Sequence, residues 1–592
     1  MQAFLWFLCL CALVLTSCSA RGIAVKPEPS GAAPPRIWAV AVANVMPKSA
    51  RVSWTTDRAA TSEVYYRISG ETAWRLERNS ELTRIHVVQL SGLKPDTTCE
   101  YEVHSVDAAG SRGVFQAGSF LPRDPTIQRK IAFEGQTILG ACCGRPEISH
   151  AAGMHADRFG SGWDGLVPRR GEWDRKRFDD YVAKLKAFRA AGIETVISLN
   201  FCVKWARQLT DTQASWRHPA FGPPDHLADW KDFCRGIMQA LGGAPQWYEI
   251  WNEPDAGYLA TPLGPGGKQR WTPDDWQPTI DPLFQSNTPY WITDRYAPLV
   301  FGARETAEEL GADVRIMAPG WNHDFHGSRG EMLFNVGVHR VIDAYSFHCY
   351  VGKPLNFEGW RNGFEIYLEN IDRIFAKHKV DLPLILTEYG FENMGVKAGD
   401  GSLASPEDRA IQLAKATLLA LSKHRFTMLC AFNLAGGDMG LADEEALPFK
   451  PRPIYFAYKH LVDRFSRKRY EPFRGLKVQA DGAKVGDHRN ADLWVHAFHF
   501  PESGEVLVAA WQGMYGKDTR LPMTIPARDA SFAVPPPGDD RRWQLYQLDI
   551  NGREAPLDVK ADSDGKLSWS AQLPATAPDH ETPPSYFLLR PH

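Results

Sequence analysis

Hydrophobic and polar positions follow three rhythms along the chain. From 36 to 123, short runs alternate with a period of two, at 50–56, 62–67 and 100–106, with turn residues between them. That pattern predicts a small β-sandwich. From 135 to 466 the rhythm changes to short apolar runs of strand length separated by amphipathic helical stretches, the sign of a parallel α/β layout. Strands are expected at 137–140, 156–159, 195–200, 247–252, 315–318, 344–348, 384–387 and 428–433, and helices between them at, for example, 178–191, 229–241 and 409–423. Eight strands in one such stretch predict an α/β fold of the (β/α)₈ barrel type. Alternating runs return at 491–498, 505–511, 543–548 and 585–589, with Asn551-Gly552 and Asp564-Gly565 as hairpin turns. Residues 470–592 are therefore read as a second β-sandwich, packed on the barrel.

Residues 3–15 form an unbroken apolar run, shorter than the roughly 20 residues a membrane-spanning helix needs. Thr16-Ser17-Cys18-Ser19-Ala20 follows at once, so 1–20 reads as a signal peptide, although no Lys or Arg precedes the run. Leu15-Thr16-Ser17-Cys18 resembles a bacterial lipobox, which implies lipidation of Cys18 and possible membrane attachment there; cleavage near Ala20 with release is the alternative. Either way the expectation is a bacterial protein that is secreted, or periplasmic and anchored to the outer membrane. Residues 21–35, rich in Pro, Ala and Gly, read as a linker.

At 592 residues the chain is too long for one core. A net charge of −3 with no long basic run argues against nucleic acid as a partner. The 20 tryptophans suit sugar stacking, but they suit core packing equally. Cys99, Cys142, Cys143, Cys202, Cys234, Cys349 and Cys430 lie mostly in apolar runs with no Cys-x-x-Cys pair. No metal site is expected from them.

The chemistry-bearing positions are Glu253 and Glu388, each closing an apolar strand-like run: Trp247-Tyr248-Glu249-Ile250-Trp251-Asn252-Glu253-Pro254 and Leu384-Ile385-Leu386-Thr387-Glu388-Tyr389-Gly390. A carboxylate at the C-terminal tip of a barrel strand faces the mouth, where packing does not call for it. Two of them from different strands supply what cleavage of a glycosidic bond requires, one proton donor and one nucleophile.

Asn252-Glu253-Pro254 after the fourth expected strand and Thr387-Glu388-Tyr389-Gly390 after the seventh resemble the clan A retaining glycoside hydrolases. The trailing β-sandwich is similar in layout to that of the group containing β-xylosidases and α-L-iduronidase. Trp54 and the stretch around Pro95 and Tyr101 resemble a fibronectin type III module. The resemblance implies a retaining glycosidase that hydrolyses a poly- or oligosaccharide by double displacement, without cofactor or metal. It implies Glu253 as acid/base, protonated at working pH, and Glu388 as ionised nucleophile. It further implies Asn252 on the sugar 2-hydroxyl, with His348 and Tyr350 orienting Glu388. Trp163, Asp164, Asn200, Trp205, Trp321, Asn322 and His323 are candidates for lining sugar subsites. The clan often places a Trp at the end of strand eight; here that position reads Phe432-Asn433.

A transglycosidase with the same two glutamates is the alternative enzyme. An inactive carbohydrate-binding or adhesion protein is the alternative class, although such proteins usually lose one carboxylate and both are present here. Gly264-Pro265-Gly266-Gly267-Lys268 lacks the following Ser or Thr of a phosphate loop, and no Gly-x-Ser-x-Gly elbow occurs. The long insertion from Gly257 to Tyr296 is expected to overhang the mouth.

Overall fold

The computed structural model describes residues 22–23, 33–124, 131–206, 226–240, 246–254, 292–311, 313–322, 324, 327–351, 364–391, 405–437, 439–486, 492–513, 525–535, 542–575 and 582–591. The leader, Cys18, most of the linker, His323 and the tryptophans of the insertion lie outside these residues. The chain divides into two compact units, Met1–Asp124 and Pro125–His592.

In the first unit every strand pairing is antiparallel. The runs at 50–56 and 62–67 belong to one strand, Ser49–Ile68. Its register against Arg75–Ser91 shifts between Thr55 and Ser62. Before the shift its other neighbour is Ile37–Met46, and after it Cys99–Val106. Asp57, Arg58 and Ala59 fall in the irregular stretch, and a bulge there lets one strand change partner. Val52, Trp54, Val64, Leu90 and Val103 fill the core, and the Trp54 indole donates to Ser105 Oγ at 2.9 Å.

In the second unit eight parallel strands close a barrel. They are β1 (Ile138–Cys142), β2 (Ala156–Gly160), β3 (Glu194–Leu199), β4 (Gln246–Ile250), β5 (Val314–Trp321), β6 (Ala344–Val351), β7 (Leu384–Phe391) and β8 (Phe426–Ala431). Each expected strand is present, with ends displaced by a few residues, and β8 pairs with β1 to close the ring. The interior is plugged by Cys142, Ala156, Val196, Trp247, Met317, Ala344, Ile385, Met428 and Cys430, with every strand contributing. Large side chains such as Trp247 and small ones such as Ala156 and Ala344 share this core. Helices Arg175–Ala190, Leu227–Ala240 and Pro406–Ser422 match the expected ones. The last opens on a capping box between Ser405 and Asp408.

The C-terminal strands form two sheets, antiparallel except where Val485–Gly486 runs parallel to Leu493–Phe500, around Leu493, Val508, Phe532, Leu545, Trp569 and Phe587. Both expected turns are stapled by an aspartate. Asp549 Oδ1 accepts from the amides of Asn551 and Arg553, and Asp562 Oδ1 from those of Asp564 and Lys566. This sandwich docks on the barrel's last helix, Pro453–Phe465. Phe465 packs edge-on to Phe498 at 4.9 Å, and Tyr586 meets His460 at 5.2 Å. Arg464 faces Glu505 and Glu554.

Candidate active site

The C-terminal ends of β2, β4, β6 and β7 bring one cluster together. Along β6, His348 and Tyr350 share a face because side chains repeat every second residue. On β7 the pairing with β6 slips by one residue: Phe347 stands opposite Leu386, but His348 stands opposite Glu388. Thr387 is the extra residue, and such a bulge re-aims side chains. Thr387 and Glu388 therefore both reach the site, although neighbours on a regular strand diverge. Tyr389 turns outward to Thr417 on the surrounding helix, at 2.9 Å.

Beyond β4 the chain leaves extended geometry. Trp251 and Glu253 have φ of 68° and 43°, a region that non-glycine residues seldom occupy. Each costs about 1–3 kcal/mol and persists only where its surroundings hold it. Here the Trp251 amide donates to Leu199 O and the Glu253 amide to Gly320 O.

His348 Nδ1 bridges the two glutamates, lying 2.9 Å from Glu253 Oε1 and 3.5 Å from Glu388 Oε2. Tyr350 donates its hydroxyl to Glu388 Oε2 at 2.5 Å, and Arg158 Nη1 donates to Glu388 Oε1. Arg158 Nη2 also donates to Asn252 Oδ1 at 2.7 Å. Asn322 hydrogen-bonds Glu253. Glu253, His348 and Glu388 are all buried.

Burial disfavours the charged form of Glu253, yet the hydrogen bond and charge of His348, with Asn322 and Arg158, hold its carboxyl below the usual range. Burial likewise opposes protonation of His348, but Glu388 and Glu253 raise it above the ordinary imidazole value. The free site thus places the shared proton on His348, the reverse of a Glu253 kept neutral by burial alone. Burial and the Glu388 charge push the Tyr350 hydroxyl up, so it remains a donor. By donor type, Glu253, His348 and Glu388 could hold a divalent ion, since their ligand atoms lie within 4.8 Å of one another. The Arg158 guanidinium on Glu388 puts a positive charge at the same carboxylate and opposes one.

The remaining expected residues are placed differently. Trp163 is fully buried, stacked on Phe233 at 4.9 Å and edge-on to Trp205. Trp321 is also fully buried, against Tyr296. Both rings belong to the core and offer no open face to a sugar. Half-buried Trp205 donates to Val167 O at 2.8 Å, with Arg170 over its ring. Asn200 is buried and donates to Ser198 Oγ, while Asp164 is exposed on the short helix Trp163–Leu166. Half-buried Phe432 stands edge-on to Tyr350 at 5.8 Å. Of the insertion, Tyr296 is described, and its hydroxyl donates to Ile250 O at 2.6 Å.

Sequence reasoning missed Arg158, Glu249 and Thr387. The signal available was charge inside two expected strands, Asp157 and Arg158 in Ala156–Gly160 and Glu249 in Gln246–Ile250.

No family model matches the sequence, and no curated protein matches it. Among solved structures, a family 39 glycoside hydrolase from the gut symbiont Bacteroides cellulosilyticus WH2 gives a TM-score of 0.50 at 15% identity, covering 93% of this chain and 100% of that one. A glucosidase from Croceicoccus marinus gives 0.46 at 11% identity, covering 79% and 98%. Exo-beta-1,4-mannosidase Op5Man5 from Opitutaceae bacterium strain TAV5 gives 0.37 at 14% identity, covering 62% of each. At such identity the first likeness is one of fold, and this chain has that fold: a closed (β/α)₈ barrel flanked by β-sandwich domains.

Proposed function

We propose that this chain is a retaining glycosidase that hydrolyses O-glycosidic bonds of a poly- or oligosaccharide, with Glu253 as acid/base and Glu388 as nucleophile. The observation that carries this reading is the pair of buried carboxylates bridged by a single imidazole nitrogen, with one oxygen of each within 4.8 Å of the other. Retaining enzymes hold their carboxyls about 5–5.5 Å apart, whereas inverting ones need about 6.5–9.5 Å to admit a water. The fold shared with a solved family 39 glycoside hydrolase supports the reading.

Glu388, oriented by Tyr350 and Arg158, attacks the anomeric carbon. Glu253 delivers the proton to the leaving oxygen, then takes one from the water that cleaves the glycosyl ester. His348 stores that proton in the empty site and returns it to Glu253 when a sugar displaces the bridge. Asn252, held by Arg158, is placed for the 2-hydroxyl. We further propose the layout of the β-xylosidase and α-L-iduronidase group, a fibronectin-like N-terminal unit serving as spacer or docking surface, and lipidation of Cys18, with cleavage near Ala20 and release as the alternative.

Intact-mass spectrometry with 2-deoxy-2-fluoro xylosyl, glucosyl, galactosyl and mannosyl fluorides tests the mechanism. One adduct mapped to Glu388 is expected. An adduct on another residue, or inversion at the anomeric centre of a hydrolysed glycoside, would refute it.

A further inference from the structure

Glu249 is a third carboxylate at the site, and two-carboxylate chemistry leaves it without a role. It stands on β4, fully buried, with both oxygens engaged. Oε2 accepts from Arg158 Nε at 2.9 Å and from Nη2 at 2.5 Å, and Oε1 accepts from Thr387 Oγ1 at 2.6 Å. Gly320 on β5, with φ of 61°, leaves space for it on the other side: a Cβ there would lie 3.0 Å from Oε1. The three hydrogen bonds hold the carboxylate in place.

The consequence falls on Arg158. A planar guanidinium gripped at two of its nitrogens has a fixed orientation, and its third nitrogen, Nη1, meets Glu388. A buried cation facing Glu388 alone would clamp that carboxylate and blunt its reactivity. A second carboxylate on the cation's other edge divides the attraction. Burial works against ionising Glu249 too, but Arg158, His348 and the Thr387 hydroxyl hold its carboxyl below the usual range.

We propose that Glu249 is a positioning residue that acts through Arg158, fixing the guanidinium against Glu388 while offsetting enough of its charge to keep Glu388 reactive. This rests on the retaining-glycosidase reading. Other titratable groups facing Glu388 are His348 and Tyr350 from β6, Glu253 beyond β4, and the thiols of Cys142 and Cys143 around the end of β1. None of them contacts the edge of Arg158 that Glu249 holds.

The test combines kinetics on aryl glycosides with a ¹³C-carboxyl titration of Glu388 in glutamate-labelled full-length protein, the resonance assigned by its loss in Glu388→Gln. In Glu249→Gln the Glu388 midpoint falls by about one pH unit and the acidic limb of kcat/KM follows. kcat drops about tenfold, and KM changes less than about threefold. Glu249→Asp keeps the charge, so its midpoint stays at the wild-type value while kcat falls.

An unmoved midpoint in folded Glu249→Gln overturns the proposal. So does an equal shift in Thr387→Val, which leaves the charge in place. If Glu249→Gln does not fold, a shifted midpoint in Glu249→Asp overturns it instead. Wild-type protein that cleaves no glycoside while the Glu388 midpoint still responds to Glu249→Gln would retain the charge coupling and sink the glycosidase reading. Turnover without that response does the reverse.

Discussion

His348 stands directly across from Glu388 in the β6–β7 ladder, one residue out of step with the pairs below it, because Thr387 is an extra residue in β7. That single slip lets one imidazole nitrogen address both Glu253 and Glu388. It also sends the Thr387 hydroxyl to Glu249. The local ladder, more than the loops above it, assembles the charged cluster.

The two glutamates should fail differently. Glu388→Ala is expected to lose at least about 10⁴-fold in kcat with every glycoside, because no ester can form. Glu253→Ala should lose about 10²–10⁴-fold on poor leaving groups and far less on dinitrophenyl glycosides, which need no proton. Steady-state rates across a leaving-group series check this, and equal losses across the series would refute the division of roles.

Tyr350→Phe removes a hydroxyl that donates to Glu388 and changes nothing else in size. A hydrogen bond to a charged group contributes about 1.5–3 kcal/mol, so kcat/KM should fall about 10- to 100-fold. A rate profile within a factor of two of wild type would show that this contact is not used.

The basic limb of kcat/KM reports the proton held jointly by Glu253 and His348, so it belongs to the pair. With His348 raised by Glu388 and Glu253, that limb should lie above about 6.5, the ordinary imidazole value. In His348→Gln a carboxyl alone holds the proton, and the limb should move toward acid. A limb that stays in place would mean that His348 does not carry the proton.

Asp157, beside Arg158 on β2, is buried with Ser149 Oγ and the Gly144 amide as its donors. Burial pushes its carboxyl up from 3.8 to about 7. Between those values the folded protein binds more protons here than the unfolded chain does, so this group's stabilising contribution is full below about 4 and declines as pH rises toward 7. Over that interval the Tm of wild type should fall relative to that of Asp157→Asn. Parallel Tm curves would remove Asp157 from the account.

Much of this arrangement was legible beforehand. Seven of the eight strands announced themselves as short apolar runs in a stretch of amphipathic helices, while β2, with Asp157 and Arg158 among its five residues, stood out least. Glu253 and Glu388 stood out because they end such runs. Arg158 and Glu249 did not, since a charged residue within an apolar run shows its purpose only when two strands distant in sequence lie side by side. The bulge at Thr387 is invisible for a similar reason: register is a property of a pair of strands. Trp163 and Trp321 show the opposite error, because a tryptophan near a strand end looks the same whether it faces a sugar or, as here, packs inward. The runs at 50–56 and 62–67 looked like two strands because Asp57 and Arg58 interrupt the alternation that the bulged backbone carries through.

The pairing of β8 with β1 has a bearing on how the molecule comes into being. Met428 and Ile138 are partners in that seam, so the ring cannot shut until the eighth strand has emerged from the ribosome. Until then β1 and β7 present open edges, the kind that pair with stray strands. The strand Ser585–Pro591 lies inside the C-terminal sheet that docks behind the last barrel helix. That sheet therefore cannot be completed until residues 585–591 have been made. The long separation of these contacts makes closure the slow, aggregation-exposed stage of this protein's biogenesis.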